Sequence, residues 1–356
     1  MAGLDEYRRK RNVGRTPEPI PADDAALPKG NDDTFVIQEH HARRLHWDVR
    51  LERGGVLVCW AVPRGLPPEP GTVRLAVHTE DHPLEYATFS GEIPHGEYGG
   101  GRMFIWDRGT YETVKWSKNE VSVVFHGQRV EGRYVFFKGG RAGRDWMVRR
   151  SDPPQDSDWE TLPASLAAMK ATRGKLPPDA DEWSYEFRWQ GLRALARVEG
   201  GRLELFDETG EPLEGFPDVR ALGEEMGSTE VWLDGEIVVL RNGKPDRKAL
   251  DRRKAETDDR RSRQLAKDLP VTYVVYDVLH LDGRSCLELP YEQRRELLAD
   301  LPLRGGWQAA PSFPGAAQAV VDAAREQGMP GVVAKRLDSP YQPGKRTKAW
   351  LEIARP

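Results

Sequence analysis

The segment Leu45-His46-Trp47-Asp48-Val49-Arg50-Leu51 alternates two chemistries. In a strand, residues two apart share a face. His46, Asp48 and Arg50 then form one row, with about 7 Å between successive members, and Leu45, Trp47, Val49 and Leu51 form the other. Two histidines and an aspartate make a mixed N/O ligand set suited to Mn2+, Zn2+ or Fe2+, with positions left open for water or substrate. His40, six residues before His46, would complete that set by swinging in from the preceding loop. Arg50 cannot bind a cation, but its guanidinium fork matches a phosphate held beside one. Taken alone, the segment equally describes a solvent-facing polar strand with a His–Asp pair, which is the commoner arrangement.

A second segment weighs against that plainer account. In Arg74-Leu75-Ala76-Val77-His78-Thr79-Glu80-Asp81-His82, alternate positions place His78, Glu80 and His82 on one face. The chain has only 8 histidines, so two such rows by chance are improbable. A pocket between the rows would hold a metal, an arginine and a spare histidine, an inventory that serves attack on a phosphate. The loop Ile93-Pro94-His95-Gly96-Glu97-Tyr98-Gly99-Gly100-Gly101 could approach a phosphate closely, although an ordinary hairpin loop reads the same way.

The elements that must carry these residues are short β-type runs split by Gly and Pro, such as Val56–Val62, Arg102–Trp106 and Gly132–Phe137. Residues 31–150 are therefore expected to form a compact β-barrel or a sandwich. Residues 1–30 read as a flexible arm, basic at Arg8, Arg9, Lys10, Arg11 and Arg15 and then Pro-rich and acidic through Asp23 and Asp24. A sharper reading folds this arm over a site. Residues 151–181, with Asp152-Pro153-Pro154, Pro177-Pro178 and one helix-like stretch from Ser165 to Arg173, read as a linker. Residues 182–356 mix strand runs (Val231–Leu233, Val271–Leu279) with helical patterns (Tyr291–Leu301, Ala316–Gln327), which is α+β.

Composition sets the outer bounds. A length of 356 residues suits two domains. Formal net charge −4 excludes a globally basic coat, so any nucleic-acid contact must use a local patch. The only cysteines, Cys59 and Cys286, form no CxxC pair, which argues against a disulfide framework and fits a reducing cytoplasm. No apolar run approaches bilayer length, so no membrane partner is expected.

Several separated motifs occur in a family's order. His40-x5-His46-x-Asp48-x-Arg50-Leu51-Glu52, Trp60-Ala61-Val62-Pro63, Glu80-Asp81-His82-Pro83-Leu84-Glu85-Tyr86 and Pro94-x-Gly96-x-Tyr98-Gly99 together resemble the 3′-phosphoesterase domain of bacterial DNA ligase D. The resemblance implies a Mn2+-dependent enzyme, with Zn2+ or another divalent metal as a substitute, that heals 3′ ends of DNA or RNA in break repair. It makes His40, His46 and Asp48 the metal ligands and has Arg50 and His82 hold the phosphate. Glu80 and Tyr86 support the site, and Arg64 and Arg74 fall where the family places basic residues near it. Asn12 stands where the family has an acid tied to 3′-ribonucleoside removal, so phosphate removal is the firmer expectation. Expected partners are DNA or RNA 3′ ends, a Ku protein, and a separate ligase or polymerase, in the cytoplasm at the nucleoid.

Residues 182–353 resemble the adenylation domain of ATP-dependent DNA ligases. Leu233-Asp234-Gly235-Glu236-Ile237, Tyr276-Asp277-Val278-Leu279-x-x-Asp282-Gly283 and Gly331-Val332-Val333-Ala334-Lys335 carry the likeness. The motif Glu-x-Lys-x-Asp-Gly-x-Arg reads Glu186-Phe187-Arg188-Trp189-Gln190-Gly191-Leu192-Arg193, so Arg188 replaces the nucleophilic lysine and Gln190 the aspartate. Lysines expected after Trp350 are absent, with Glu352 among the residues there, and the chain ends at Pro356 where the family continues into an OB domain. Arginine stays protonated at any accessible pH and is a poor nucleophile. ATP use and ligation are therefore not expected, and Glu236, Tyr276 and Lys335 remain as positions of a degenerate nucleotide site. The expected role of this part is scaffold or docking module. Two further readings stand beside the end-healing enzyme: a non-catalytic nucleic-acid or repair-complex binding protein, and an active polynucleotide ligase.

Overall fold

A computed structural model describes residues 3–22, 30–139, 145–256 and 258–354. Asp23, Asp24 and Pro356 lie outside the described residues. The chain divides into two compact units, Met1–Trp159 and Glu160–Pro356.

The first unit is built on nine antiparallel strands: β1 (Thr34–His41), β2 (Leu45–Arg53), β3 (Val56–Val62), β4 (Val73–His78), β5 (Gly91–Ile93), β6 (Gly101–Trp116), β7 (Glu120–His126), β8 (Glu131–Lys138) and β9 (Trp146–Arg150). They run in the order β1-β2-β3-β4-β9-β8-β7-β6-β5, and β1 also pairs with β6. That pairing closes eight strands into a barrel and leaves β5 appended to the edge of β6. Closure satisfies the edge strands that an open sheet would expose. The period-two pattern sends Ile37, Trp47, Val49, Trp60, Val123 and Phe136, among others, into one packed core.

On β1 and β2 the opposite face is buried as well, because other elements cover it. Helix α1 (Asp5–Arg9), the 3-10 turn Leu84–Thr88 and β5 contribute Tyr7, Tyr86 and Ile93 to a second apolar cluster with Leu4, Val56, Leu57 and Met103. Within residues 3–22 the arm is tied down at named contacts. Leu4 and Tyr7 are buried, and the Tyr7 hydroxyl donates to the Pro19 carbonyl at 2.8 Å, which fastens both ends of the segment. A solvated arm is the default for a charged segment only when it has no apolar residues to bury, and this one has two.

The second unit holds a five-stranded and a six-stranded sheet. The first runs Lys170–Arg173, Arg346–Ala354, Gly331–Arg336, Trp183–Phe187, Ser312–Pro314; the second contains Leu192–Glu199, Val231–Val238 and Thr272–Leu281. Helices span Tyr291–Ala299 and Ala317–Glu326, where the 3.6-residue period places them. The segment expected as a linker is corrected here. Residues from Glu160 onward belong to the second unit, Leu162, Ala168 and Met169 are buried in it, and Lys170–Arg173 is a strand and not part of a helix. Tertiary pairing with Arg346–Ala354 overrides a local helical pattern too short to stand alone. Among the described residues, no helix is long and apolar enough to cross a membrane.

Candidate active site

The β1–β2 register places His40 directly opposite His46 and Gln38 opposite Asp48. His40 therefore comes from a strand and not from a swinging loop; the six-residue spacing is that of a tight hairpin. Ligand atoms of His40, His46 and Asp48 lie within 4.8 Å of one another. His46 Nε2 is 3.5 Å from Asp48 Oδ1, and His40 Nδ1 is 3.6 Å from Asp48 Oδ2.

The other nitrogen of each ring is committed elsewhere. His40 Nε2–H donates to the Gly99 carbonyl at 2.9 Å, and His46 Nδ1–H donates to the Arg44 carbonyl at 2.9 Å. Carbonyl acceptors at the far nitrogen set the tautomer and turn the lone pair inward. His40 Nδ1, buried, has no hydrogen-bond partner among the described residues. An orphaned imidazole lone pair beside a second lone pair and a carboxylate is what a divalent cation requires, so the donor set fits one. The Gly-rich loop serves this arrangement. A Cβ at Gly101 (φ +148°) would stand 2.3 Å from the His41 carbonyl, so only glycine lets the loop close on β1 and present Gly99 to His40.

Arg50 borders this cluster. Its Nη2 donates to Asp48 Oδ2 at 2.9 Å, its Nε to Gln38 Oε1 at 2.6 Å, and its guanidinium lies 4.5 Å from the centre of the Tyr86 ring. Gln38 is held in turn by donating to the carbonyls of Tyr86 and Phe89. Arg50 Nη1, fully buried, has no hydrogen-bond partner among the described residues. Burial alone would raise the Asp48 carboxyl; Arg50 and the two imidazoles outweigh it and hold the group well below the usual carboxylate range.

The arm closes the far side of a cavity of about 180 Å3 that these residues line. Arg11 pairs with Glu80 at 2.8 Å and Glu18 at 3.0 Å, stacks on Tyr7, and donates through Nη2 to His82 Nε2 at 3.2 Å. Lys10 adds a second bond to Glu80 at 2.9 Å, and the Tyr86 hydroxyl donates to Glu18 at 3.0 Å. His82 Nδ1–H donates to the Glu80 carbonyl at 2.9 Å, which leaves Nε2 as the acceptor for Arg11. Two arginines facing one small cavity, each with its back to carboxylates, form a seat for an anion.

Burial, reinforced by Arg50 and Arg11, holds His82 well below the usual imidazole range. On acidification the unfolded chain takes up this proton near pH ~6.5, while the folded chain does not. The unfolded state then binds more protons, so stability falls as pH drops below about 6.5. His82→Gln is expected to lose less melting temperature than wild type between about pH 7 and pH 5.5. Calorimetry of both proteins across that range checks this, and parallel slopes would refute it.

The structure brings together His40, His46, Asp48, Arg50, Glu80, His82 and Tyr86. It does not bring in His78, Arg64 or Arg74. Strand β4 ends at His78, so Glu80 and His82 lie past it, with His82 bridged to Leu57. His78 packs instead on Trp60 and Trp146. Arg74 donates to the carbonyls of Arg64 and Leu66, binding a loop, and neither arginine lines the cavity. Spacing does not single out Arg11, Glu18, Gln38 or Thr79, although all contact or line the site. For Arg11 and Glu18 the sequence offers the basic run of the arm and a glutamate flanked by prolines in Thr16-Pro17-Glu18-Pro19; for Gln38 and Thr79 it offers no signal.

In the second unit a cavity of about 580 Å3 is lined by Arg188, Gln190, Glu236, Tyr276 and Lys335, among others. Arg188 Nη1 pairs with Glu352 at 2.8 Å. Lys335 pairs with buried Glu186 at 3.0 Å and lies 4.3 Å from the Trp350 ring centre and 4.9 Å from that of Tyr276. Burial lowers the Lys335 ammonium against the raising effect of Glu186. Glu236 accepts from the Gly191 backbone at 2.8 Å, and Arg193 is clamped by Asp234.

Comparison with known proteins matches residues 38–138 to the DNA ligase D 3′-phosphoesterase domain and residues 166–353 to the ATP dependent DNA ligase domain. The multifunctional non-homologous end joining protein LigD of Mycolicibacterium smegmatis is 40% identical over 364 residues, covering 98% of this chain and 45% of the relative. The protein of the same name from Pseudomonas aeruginosa is 31% identical over 411 residues, covering 98% and 47%. The chain thus spans about half the length of the curated relatives it matches. A mycobacterial DNA ligase D complexed with ATP and MES aligns at TM-score 0.47 and 33% identity over 53% of this chain and 60% of that one. The chain thus belongs to the ATP-dependent DNA ligase domain family, with a DNA ligase D 3′-phosphoesterase domain ahead of its ligase adenylation domain.

Proposed function

We propose that the first unit is a divalent-metal-dependent phosphoesterase that removes 3′-phosphates from nucleic-acid ends in break repair. One observation carries this: two imidazole lone pairs and a carboxylate converge beside a buried arginine with an unspent N–H. His40 Nδ1, His46 Nε2 and Asp48 would hold the ion, which supplies Lewis acidity toward a phosphate oxygen. Mn2+ is the expected metal. Arg50 Nη1 donates to a non-bridging oxygen, where negative charge gathers as water attacks phosphorus. Arg11, oriented by His82, Glu80 and Glu18, adds the second cation. The phosphate enters a site whose dipoles are already in place, so little reorganisation is required as charge develops.

The second unit, in this proposal, neither consumes ATP nor ligates. It is a docking module for nucleic acid or repair partners such as Ku, with the exposed arginines Arg252, Arg260 and Arg261 as contact candidates.

The test is phosphate release from a duplex with a 3′-phosphate primer end, using protein stripped by chelator and then resupplied with Mn2+, Zn2+ or Mg2+. Stripped protein is expected to be inert and Mn2+ to restore release. Failure across the whole metal series removes the proposal.

A further inference from the structure

One mouth of the barrel has an aromatic hollow of about 490 Å3, within the size range of small-ligand pockets. Trp60, Trp116 and Trp146 form its walls. Ring centres lie 6.5 Å apart for Trp60–Trp116 and 5.6 Å for Trp60–Trp146, and His78 stacks on Trp146 at 5.9 Å with an interplanar angle of 26°. Cations stand on these rings. The Arg53 guanidinium lies 4.9 Å from the Trp116 ring centre and Lys138 Nζ lies 5.8 Å from that of Trp146. Lys118, exposed in the β6–β7 turn, is a third. Asp32 and Asp81 also line the hollow, but Asp32 faces Arg53 at 3.8 Å and Asp81 accepts from the Gly3 backbone at 3.4 Å.

This hollow and the phosphate site lie on two sides of the same backbone. Along β3, Trp60 lines the hollow and Ala61 the phosphate site. At the end of β4 and just beyond it, His78 and Asp81 go to the hollow, and Thr79, Glu80 and His82 to the phosphate site. Adjacent residues of one strand thus serve the two sites.

We propose that the hollow is a stacking subsite for an unpaired nucleobase of the strand whose 3′ end is processed. The inference rests on the phosphoesterase reading for its choice of polymer. Flat indole walls favour a flat π-system, and stacking of this kind tolerates any base. The cations match the phosphates that flank a base and have no comparable use for an apolar peptide. Trp60 Nε1–H, buried, has no acceptor among the described residues, and an indole nitrogen only donates. Base carbonyls and ring nitrogens are acceptors of the right kind.

The test measures anisotropy of a short 5′-labelled oligonucleotide bearing a 3′-hydroxyl, as a single strand and as a blunt duplex, with the full chain. Trp116→Ala is expected to weaken single-strand binding roughly tenfold and to leave blunt-duplex binding unchanged. Lys118→Glu, a surface change that spares the fold if Trp116→Ala does not, is expected to weaken single-strand binding. It should also flatten the slope of log affinity against log salt by about 0.7 for each phosphate that is no longer neutralised. Equal weakening on both probes, or wild-type affinity in both variants, overturns the subsite. Hydrolysis of p-nitrophenyl phosphate, run in parallel, should be unaffected by either variant. Because the labelled probe needs no turnover, an inactive wild type would defeat the phosphoesterase reading without deciding this one.

Discussion

Asp48→Asn is expected to reduce 3′-phosphate release by at least about a hundredfold and to abolish stoichiometric metal binding. The carboxylate does two jobs at once. It faces both inward imidazole nitrogens, at 3.5 and 3.6 Å, and it accepts from Arg50 at 2.9 Å. An amide of the same shape keeps the packing but gives up the negative charge that a cation needs. It also leaves Arg50, 1% exposed, without its counter-ion. Breaking a buried pair by removing one partner costs about 3–5 kcal/mol, so the first unit should also melt earlier. In wild type the Asp48 group is held below its unfolded value, so its contribution to stability is complete above about pH 4 and is lost as pH falls further. Metal titration, turnover and calorimetry on the same variant separate the effects. Unchanged metal stoichiometry with unchanged turnover would place the chemistry elsewhere on the molecule.

The second large effect is an expected blank. Incubation of the chain with α-labelled ATP and metal, followed by denaturation, should leave no label on the protein. A nucleophilic nitrogen must present a lone pair to the α-phosphate. The Arg188 guanidinium has none to offer at accessible pH, and it is engaged in an ion pair with Glu352 at 2.8 Å. Arg188→Lys by itself should also remain unlabelled, because a lysine beside Glu352 is stabilised in its ammonium form. Labelling of wild type would contradict this, and Lys335, the buried amine of the same cavity, would then be the first acceptor to mutate.

Much of the site is legible in the sequence because strands repeat every two residues. Once Leu45–Leu51 is a strand, His46, Asp48 and Arg50 must share a face, and many short runs broken by Gly and Pro indicate a barrel or sandwich, between which the β1–β6 pairing decides. The same rule fails one segment later. His78, Glu80 and His82 keep the period, yet β4 stops at His78, and a period has no meaning after the strand that carries it has ended. Arg11 and Glu18 are hard to place for a different reason. Their contacts lie 69 residues from Glu80 for Arg11 and 68 from Tyr86 for Glu18, and charge patterning within the arm says nothing about partners that far away.

The row His46–Asp48–Arg50 is thus set by residue order alone: its composition, its shared face, and the match of a carboxylate and an imidazole to a cation and of a guanidinium to a phosphate. That residue 188 is an arginine is likewise a fact of residue order, and a guanidinium stays protonated at ordinary pH whatever the fold around it. Only the tertiary structure decides which nitrogen each histidine turns inward, because the acceptors that choose are the carbonyls of Gly99 for His40 and Arg44 for His46. It also decides that the arm is a wall of the site and that His78 is not. Both depend on which apolar surfaces remain to be covered once the barrel has closed, and that is known only when every strand has found its neighbour.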